Sequence, residues 1–379
     1  MIRQICSSMA VAVAFAAVTG CGALPANVDA MSAVDPVDPG LPVLTLRWKY
    51  DVAPSGTEPK PQEFSSAAVY GDRVYVGSQK GVFYSLNQAG EVIWKRKLGS
   101  VSSRPLVAKD RVYIGTDDGF VIALAAKTGK ELWRYATRGP ILETPVVQGD
   151  VLFLSNESDH VYALDADTGK FRWHYRSETP EAYTLRGHSG VAVSDGLVLT
   201  GFSNGTMVAL RTGTGSVAWL TSLKGEGTRF VDIDSTPVVS ANTAYVSSSG
   251  GGIYALDKTT GLVRWRLPIK NAGGLTVDGN RLFAAAATTG VMALDLTGNI
   301  VWRQGTRGGG EPAAPVVSGE YLLYTLSEKG VYICDKRTGK LHQYFNPGDG
   351  ISSPPTFWGN HMYVLGNGGT LYAMGVSRF

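Results

Sequence analysis

The chain is built on an internal repeat that ends in a tryptophan. The stretch VIALAAKTGKELW at residues 121–133 recurs as VYALDADTGKFRW at 161–173, at 253–265 and, less closely, at 208–219. Because one short copy cannot bury both of its faces, repeats of this kind stack side by side to form a core. The tryptophans that stand in register are Trp48, Trp94, Trp133, Trp173, Trp219, Trp265 and Trp302.

Each copy has the parts of a four-stranded antiparallel sheet. An apolar run at 144–147 reaches a turn at Gly149 and Asp150, residues 151–154 follow, and a polar turn leads to 161–164. An Asp-Thr-Gly turn then precedes the tryptophan strand, and its glycine supplies the positive φ that a tight hairpin needs. Four short strands separated by turn residues are typical of a β-propeller blade. The tryptophans are expected to pack between adjacent blades and not to bind a ligand.

The strand count predicts eight blades in a closed ring. Sets of three strands begin near residues 65, 102, 142, 188, 235, 273, 312 and 352. Tryptophan-type strands also number eight, but the first, at 46–50, precedes every set, and no such strand follows the last set, at 352–374. Pairing the N-terminal strand with the C-terminal set completes the last blade and removes exposed edges. The predicted fold is all-β, an eight-bladed propeller of four-stranded antiparallel blades, with seven blades as the main alternative.

The first twenty residues have the pattern of a targeting signal. Arg3 precedes an apolar stretch at 9–18, which is shorter than the ~20 residues that a membrane-spanning helix needs. The sequence Val-Thr-Gly-Cys that ends at Cys21 resembles a bacterial lipobox, in which the cysteine is lipidated and becomes the new N-terminus. An ordinary signal peptide with a coincidental cysteine is the alternative. Several acyl chains on one cysteine would anchor the protein stably in a membrane.

These observations divide the chain into three parts. Residues 1–20 are predicted to be a lipoprotein signal peptide, and residues 21–43 a lipidated N-terminus with a flexible tether. Residues 44–379 form the propeller. With Cys6 in the signal and Cys21 lipidated, only Cys334 remains in the folded part, so no intramolecular disulfide is available. The net charge of +3 and the lack of a basic stretch alternating with aromatics do not favour binding to nucleic acid.

The repeat also raises the possibility of an enzyme. Tandem Asp-x-x-Thr-Gly-x-x-x-Trp copies resemble those of quinoprotein dehydrogenases, which hold pyrroloquinoline quinone in a propeller. This chain has no Cys-Cys pair, and acids such as Asp165 and Asp257 lie in turns, where they make local hydrogen bonds. Its five histidines are not spaced like zinc ligands. The sequence therefore predicts no catalytic, cofactor-binding or metal-binding residue, and a quinone-dependent periplasmic dehydrogenase remains the alternative.

Two consecutive blade connections are longer than the others and are candidates for partner binding. The first, at 177–187, contains Tyr183, Leu185 and Arg186, and the second, at 224–234, contains Asp232 and Asp234. Equivalent connections of neighbouring blades emerge side by side on one face of a propeller. Apolar anchors within a charged surround are typical of a protein interface. Alternatively Arg186 pairs with one of the two aspartates inside the chain, or both connections are simply solvated loops.

The same residues carry a family resemblance. Leu185-Arg-Gly187, followed by DIDSTPVV at 232–239, resembles the signature of the BamB family, propeller lipoproteins of the outer-membrane β-barrel assembly (BAM) machinery. The resemblance extends over the lipobox, the tether and the eight repeats. Two features depart from it. Gln343 replaces a tryptophan in the eighth copy, where it is expected to weaken only packing, and a proline-rich insertion at 54–61 lengthens the first connection.

The resemblance implies a non-catalytic scaffold that docks on the periplasmic POTRA domains of BamA. Leu185, Arg186, Asp232 and Asp234 then belong to the interface, and Tyr183 stands where the family often has another apolar residue. The resemblance also implies an outer-membrane lipoprotein that faces the periplasm, because Gly22 replaces the aspartate that retains such proteins in the inner membrane. Unfolded outer-membrane proteins are possible clients that add strands to exposed blade edges. A scaffold of another envelope complex is the remaining alternative.

Overall fold

The computed structural model describes residues 43–53, 62–177, 189–224, 231–305 and 310–377. These residues form 32 β-strands in eight four-stranded antiparallel sheets. They contain no helix that could cross a membrane. The predicted signal peptide, Cys21 and almost all of the predicted tether lie outside the described residues, as does the proline-rich insertion at 54–61.

Seven blades each take four consecutive strands, ordered from the inner to the outer edge of the sheet. Blade 1 contains β2 (Ala68–Tyr70), β3 (Arg73–Val76), β4 (Val82–Asn87) and β5 (Val92–Lys97), and blade 2 contains β6 (Leu106–Ala108), β7 (Arg111–Gly115), β8 (Phe120–Ala125) and β9 (Glu131–Ala136). Blade 3 contains β10 (Val146–Gln148), β11 (Val151–Asn156), β12 (His160–Asp165) and β13 (Phe171–Arg176), and blade 4 contains β14 (Ala192–Ser194), β15 (Leu197–Gly201), β16 (Thr206–Arg211) and β17 (Val217–Ser222). Blade 5 contains β18 (Val238–Ser240), β19 (Thr243–Ser248), β20 (Gly252–Asp257) and β21 (Val263–Leu267), and blade 6 contains β22 (Ala272–Asp278), β23 (Arg281–Ala286), β24 (Gly290–Asp295) and β25 (Ile300–Gln304). Blade 7 contains β26 (Val316–Ser318), β27 (Tyr321–Thr325), β28 (Val331–Asp335) and β29 (Leu341–Phe345).

Blade 8 joins the two ends of the folded chain. Its first three strands are β30 (Thr356–Trp358), β31 (His361–Leu365) and β32 (Thr370–Val376), and its fourth is the N-terminal strand β1 (Leu44–Asp51). Strand β1 pairs antiparallel with β32 along its whole length. The predicted eight blades and the predicted closure of the ring are both confirmed.

The core is divided among the spaces between blades. The third strand of each blade is almost fully buried, as in β12, because both of its faces pack on neighbouring sheets. One cluster, for example, joins Phe153 and Ala163 of blade 3 to Val198 and Leu210 of blade 4. Eight such clusters follow one another around the ring, so each blade is stabilised by the blades on either side.

The repeated tryptophans connect consecutive blades, which confirms the prediction made from the repeat. Each indole Nε1–H donates to a backbone carbonyl in the last turn of the next blade, at 2.7–3.1 Å. The glycine of that turn lies against the indole ring: a Cβ on Gly169 would be only 2.6 Å from the ring of Trp133. The expectation that Gln343 weakens only packing is wrong, because its side chain hydrogen-bonds the backbone of β1.

Candidate partner-binding site

The structure describes two of the five residues predicted to bind a partner. Asp232 and Asp234 lie in the connection that leads into blade 5. Tyr183, Leu185 and Arg186 fall within residues 178–188, which lie outside the described part of the chain. The geometry of the site is therefore built from the two aspartates and from the ends of the two long connections.

The residues that follow the two connections lie side by side. The Oγ–H of Ser189 donates to the carbonyl of Ser235 at 2.9 Å, and the N–H of Gly190 donates to Oγ1 of Thr236 at 3.0 Å. Each bond joins the residues that lead into blades 4 and 5. The residues that follow the two connections are therefore neighbours, while most of the first connection lies outside the described residues.

The N-terminal ends flank a single turn of blade 4. The side-chain amide of Asn204 donates to Oγ of Ser177, where the first connection begins, at 3.1 Å. The N–H of Leu223, just before the second connection, donates to the carbonyl of Gly205 at 2.8 Å. The Asn204–Gly205 turn therefore holds the starts of both connections at one edge of the ring.

The backbone of Asp232 occupies a position that the repeat fixes. Its carbonyl accepts from the N–H of Ser249 at 3.0 Å. The carbonyls at the equivalent position of blades 2, 3 and 8 accept the same bond at 2.9–3.0 Å, and these belong to Ser100, Pro140 and Gly350. The side chain of Asp232 is fully buried, so it shapes the site from inside rather than presenting a charge on the surface.

Ile233 fixes the conformation between the two aspartates. Its side chain is fully buried, like those of Val101, Ile141 and Ile351 in the equivalent position of other blades. Its N–H donates to the carbonyl of Phe202 in blade 4. Because the residue between them points into the core, Asp232 and Asp234 are held in place by the same packing that builds the ring.

Asp234 is the partly exposed acid of the pair. Its Oδ2 accepts a hydrogen bond from Oγ of Ser249. Burial raises the pKa of Asp234, the Ser249 hydrogen bond opposes this, and the carboxylates of Asp232 and Glu311 raise it, so that the pKa is about 6. The site is therefore locally negative, and a cation that approached Asp234 would stabilise its charged form.

Asp234 also lines a channel at the centre of the ring, whose residues were not singled out in the sequence. Glu143 and Arg104 belong to the same wall. Glu143 stands where blades 2, 4, 5 and 8 have serine, and this departure from the repeat was the available signal. Among the described residues, no group of three or more histidine, cysteine, aspartate or glutamate side chains is arranged to hold a metal ion.

The fold and the site together define a class. This is an eight-bladed propeller of quinoprotein-like repeats, closed by its N-terminal strand. The sequence profile described as outer membrane protein assembly factor BamB matches residues 45–128, 90–297 and 287–377. The chain belongs to the BamB family.

Individual relatives agree with this assignment. The chain is 32% identical to the outer membrane protein assembly factor BamB of Legionella pneumophila (strain Paris) over 334 residues, 86% of this chain and 87% of that protein. It is 30% identical to the BamB of Salmonella typhimurium over 320 residues, 79% of this chain and 81% of that protein. The family is thus named for a role in assembly and not for a reaction.

Solved structures show the same fold. The crystal structure of BamB from Moraxella catarrhalis has a TM-score of 0.76 at 23% identity, covering 88% of this chain and all of that one. A quinohemoprotein alcohol dehydrogenase from Pseudomonas putida HK5 has a TM-score of 0.71 at 14% identity, covering 88% of this chain and 76% of that one. At these identities the likeness concerns the architecture alone, which an enzyme and an assembly factor share.

Proposed function

We propose that this chain is a non-catalytic scaffold lipoprotein of the BAM complex, which docks on the POTRA domains of BamA and assists the folding and insertion of β-barrel proteins. The observation that carries the proposal is that the described residues bounding the two long connections lie together at the blade 4–blade 5 boundary, beside Asp232 and Asp234. Membership of the BamB family supports the choice of partner.

The proposed interface assigns different tasks to its residues. Tyr183 and Leu185 supply apolar anchors, and Arg186 supplies a cation. Asp234 presents a carboxylate that a basic side chain of the partner can reach. Buried Asp232 acts through its backbone, which holds the second connection against Ser249. An apolar centre with charges around it is the usual arrangement of residues that dominate binding energy.

The test is a titration of the full chain, purified in detergent, with the POTRA region of BamA from the same organism. Arg186→Glu and Asp234→Arg are each expected to abolish saturable binding, and the melting temperature of each variant shows whether it folds like the wild type. Asp72→Arg is the matched control, because the Asp72 side chain is 89% exposed in a turn of blade 1. For Asp232 the milder change Asp232→Asn is used, since a buried cation would unfold the blade.

Each result has a distinct meaning. Binding that survives both Arg186→Glu and Asp234→Arg would move the interface elsewhere on the ring while leaving the partner in place. A wild-type chain that does not bind the POTRA region would instead favour a scaffold of another envelope complex. Loss of binding in Asp72→Arg as well would point to a general effect of charge.

We also propose the cellular location that this role requires. Residues 1–20 act as the signal peptide, Cys21 carries the lipid, residues 21–43 tether the propeller, and the protein faces the periplasm from the outer membrane. Mass spectrometry of the mature N-terminus should find an acylated Cys21. Cys21→Ser should leave the protein unacylated, and an unmodified N-terminus in the wild type would contradict the anchor.

A second activity, binding of unfolded outer-membrane proteins, is favoured by the outer strands. In blades 1 to 6 and in blade 8 the fourth strand lies at the edge of its sheet and exposes large apolar side chains in or next to it. They include Leu46, Ile93, Leu132, Phe171, Leu220, Leu262 and Ile300. Edge strands with apolar side chains can accept an added strand from a partner. A barrel-strand peptide should bind the full chain, and Leu220→Lys in β17 should weaken that binding.

The quinone-dependent dehydrogenase is tested separately. The full chain is mixed with pyrroloquinoline quinone and calcium, and quinone binding and dye reduction in the presence of alcohols are measured. The scaffold proposal expects no dye reduction. Alcohol-dependent reduction above a heat-denatured control would establish an enzyme on this fold.

A further inference from the structure

A cavity of about 460 Å³ occupies the centre of the ring. Its volume falls in the ~300–1,000 Å³ range of small-molecule sites, which lie typically in concave, partly apolar surroundings. Its wall combines apolar side chains with a few polar groups. The apolar part includes Phe64, Leu142, Leu275, Pro312 and Pro354.

Two polar groups on one side of this channel have no protein partner. Arg104 of blade 2 makes no hydrogen bond or ion pair with any described residue, and the same holds for the hydroxyl of Thr144 in blade 3. The two residues stand at equivalent positions, directly before Pro105 and Pro145, which lead into the inner strands of neighbouring blades. The Arg104 side chain is exposed to the solvent of the channel, and desolvation by the surrounding channel wall lowers the pKa of its guanidinium.

The opposite side of the channel leaves room for a ligand. Blades 6 and 7 are diametrically opposite blades 2 and 3 in a ring of eight, and there the wall includes Gly274 of blade 6 and Ala313 and Ala314 of blade 7, beside Leu275 and Pro312. The small side chains at these positions leave room in the channel on this side. The rest of the wall carries larger side chains, among them Phe64, Glu143 and Asp234.

Glu143 completes the polar side. Its Oε2 accepts a hydrogen bond from Oγ1 of Thr236 at 3.2 Å, and the same Thr236 Oγ1 accepts one from the N–H of Gly190 at 3.0 Å. Burial raises the pKa of Glu143 to about 7. Below this pH the acid is largely neutral, so it does not repel an anion and can donate a hydrogen bond to it.

We propose that the central channel binds a small molecule that carries one carboxylate group on a short apolar body, with Arg104 as the anchor and Thr144 as a second donor. A guanidinium forms two parallel hydrogen bonds with a carboxylate, and the apolar wall accepts the rest of the molecule. Asp234, on the wall of blade 5, disfavours a second negative charge. Asp234 is shared with the proposed contact with BamA, whereas Arg104 and Thr144 belong to the channel alone.

The test uses butyrate as the probe and the full chain in detergent at pH 6, with ionic strength held constant by sodium chloride. Ligand-observed NMR titration is expected to show saturable binding of butyrate and none of butylammonium, which has the same apolar body and the opposite charge. Arg104→Gln should weaken butyrate binding roughly 10- to 100-fold, because a hydrogen-bonded charge is lost. The control Arg211→Gln, at an exposed site on blade 4, should bind butyrate like the wild type.

Three results would overturn the proposal. They are the absence of saturable butyrate binding, equal binding of butyrate and butylammonium, and equal butyrate binding by Arg104→Gln and the wild type. If inorganic phosphate bound more tightly than butyrate, the ligand of the site would be a different anion and not a carboxylate. The melting temperature of Arg104→Gln without ligand distinguishes a role in binding from a role in stability. An unpaired arginine can be removed without loss of stability, so an unchanged melting temperature is expected. A lower melting temperature together with unchanged butyrate binding would assign Arg104 to packing.

Discussion

Gln343 binds both backbone groups of Leu44 through its side-chain amide: Oε1 accepts from the N–H at 2.8 Å, and Nε2 donates to the carbonyl at 3.2 Å. At every other blade boundary a tryptophan Nε1–H binds a carbonyl in the last turn of the next blade. Blade 8 has no such turn, because its third and fourth strands come from opposite ends of the chain. The break in the tryptophan series therefore coincides with the closure of the ring.

This relationship predicts a specific weakness at the closure. Gln343→Ala should lower the free energy of unfolding by ~1–3 kcal/mol, because two partly buried hydrogen bonds are lost. Gln343→Trp should not restore stability, since no turn carbonyl is available to the indole. Hydrogen exchange should show faster exchange in β1 than in the inner strands of blade 3. Gln148→Ala, at an exposed position, is the control, and equal loss in both variants would contradict a special role for Gln343.

The turn glycines allow packing and backbone strain to be separated. Gly169 (φ +70°) and Gly149 (φ +63°) have nearly the same conformation, but an added Cβ would contact the Trp133 ring at 2.6 Å in the first case and no atom within 4 Å in the second. Gly149→Ala should lower the free energy of unfolding by ~1 kcal/mol, because of the left-handed backbone alone. Gly169→Ala should lower the free energy of unfolding by a further ~1–3 kcal/mol, because the added Cβ displaces the indole. Urea unfolding of both variants measures the difference, and equal costs would show that the turn yields without disturbing Trp133.

The fold could be predicted from the sequence because its determinants are local and repeated. Each Asp-Thr-Gly turn and each tryptophan recurs in register, so one blade predicts the rest, and the strand count gives the closure. The candidate site could be predicted from the sequence less fully than the fold. Nothing in the sequence around Asp232 shows that its side chain is buried in the folded chain. Gln343 and Leu44 are 299 residues apart, and no local pattern joins them.

Glu143 predicts a pH dependence of stability with a definite sign. Its pKa is raised from 4.5 to about 7 in the folded chain, so between these values the folded state holds more protons than the unfolded state. Its contribution to stability is therefore fully present below pH ~4.5 and is lost as the pH rises through 7, by up to ~3 kcal/mol. Glu143→Gln should melt higher than the wild type at pH 8 and near the wild type at pH 5.

The control for this change is Glu320→Gln, whose carboxylate is 67% exposed and lies 3.8 Å from Lys336. It should leave the difference between pH 5 and pH 8 as in the wild type. A Glu143→Gln variant that is less stable than the wild type at pH 8 would show that the ionised carboxylate is stabilised by its bond to Thr236 more than it is destabilised by burial.

Asp234 predicts the pH dependence of docking on the POTRA region. In the free chain its pKa is about 6, and the groups that face it are Asp232, Glu311 and the hydroxyl of Ser249. A basic side chain of the partner favours the charged form, so complex formation releases a proton below pH ~6. Affinity should therefore rise roughly tenfold from pH 5 to pH 7.5 if the pKa returns to its ordinary range on binding. Asp234→Asn should bind more weakly at pH 7.5 and show a flat profile. Titrating groups on the POTRA region affect its binding to the wild type and to Asp234→Asn equally. A pH dependence of affinity that persists in Asp234→Asn therefore belongs to the partner and would remove Asp234 from the interface.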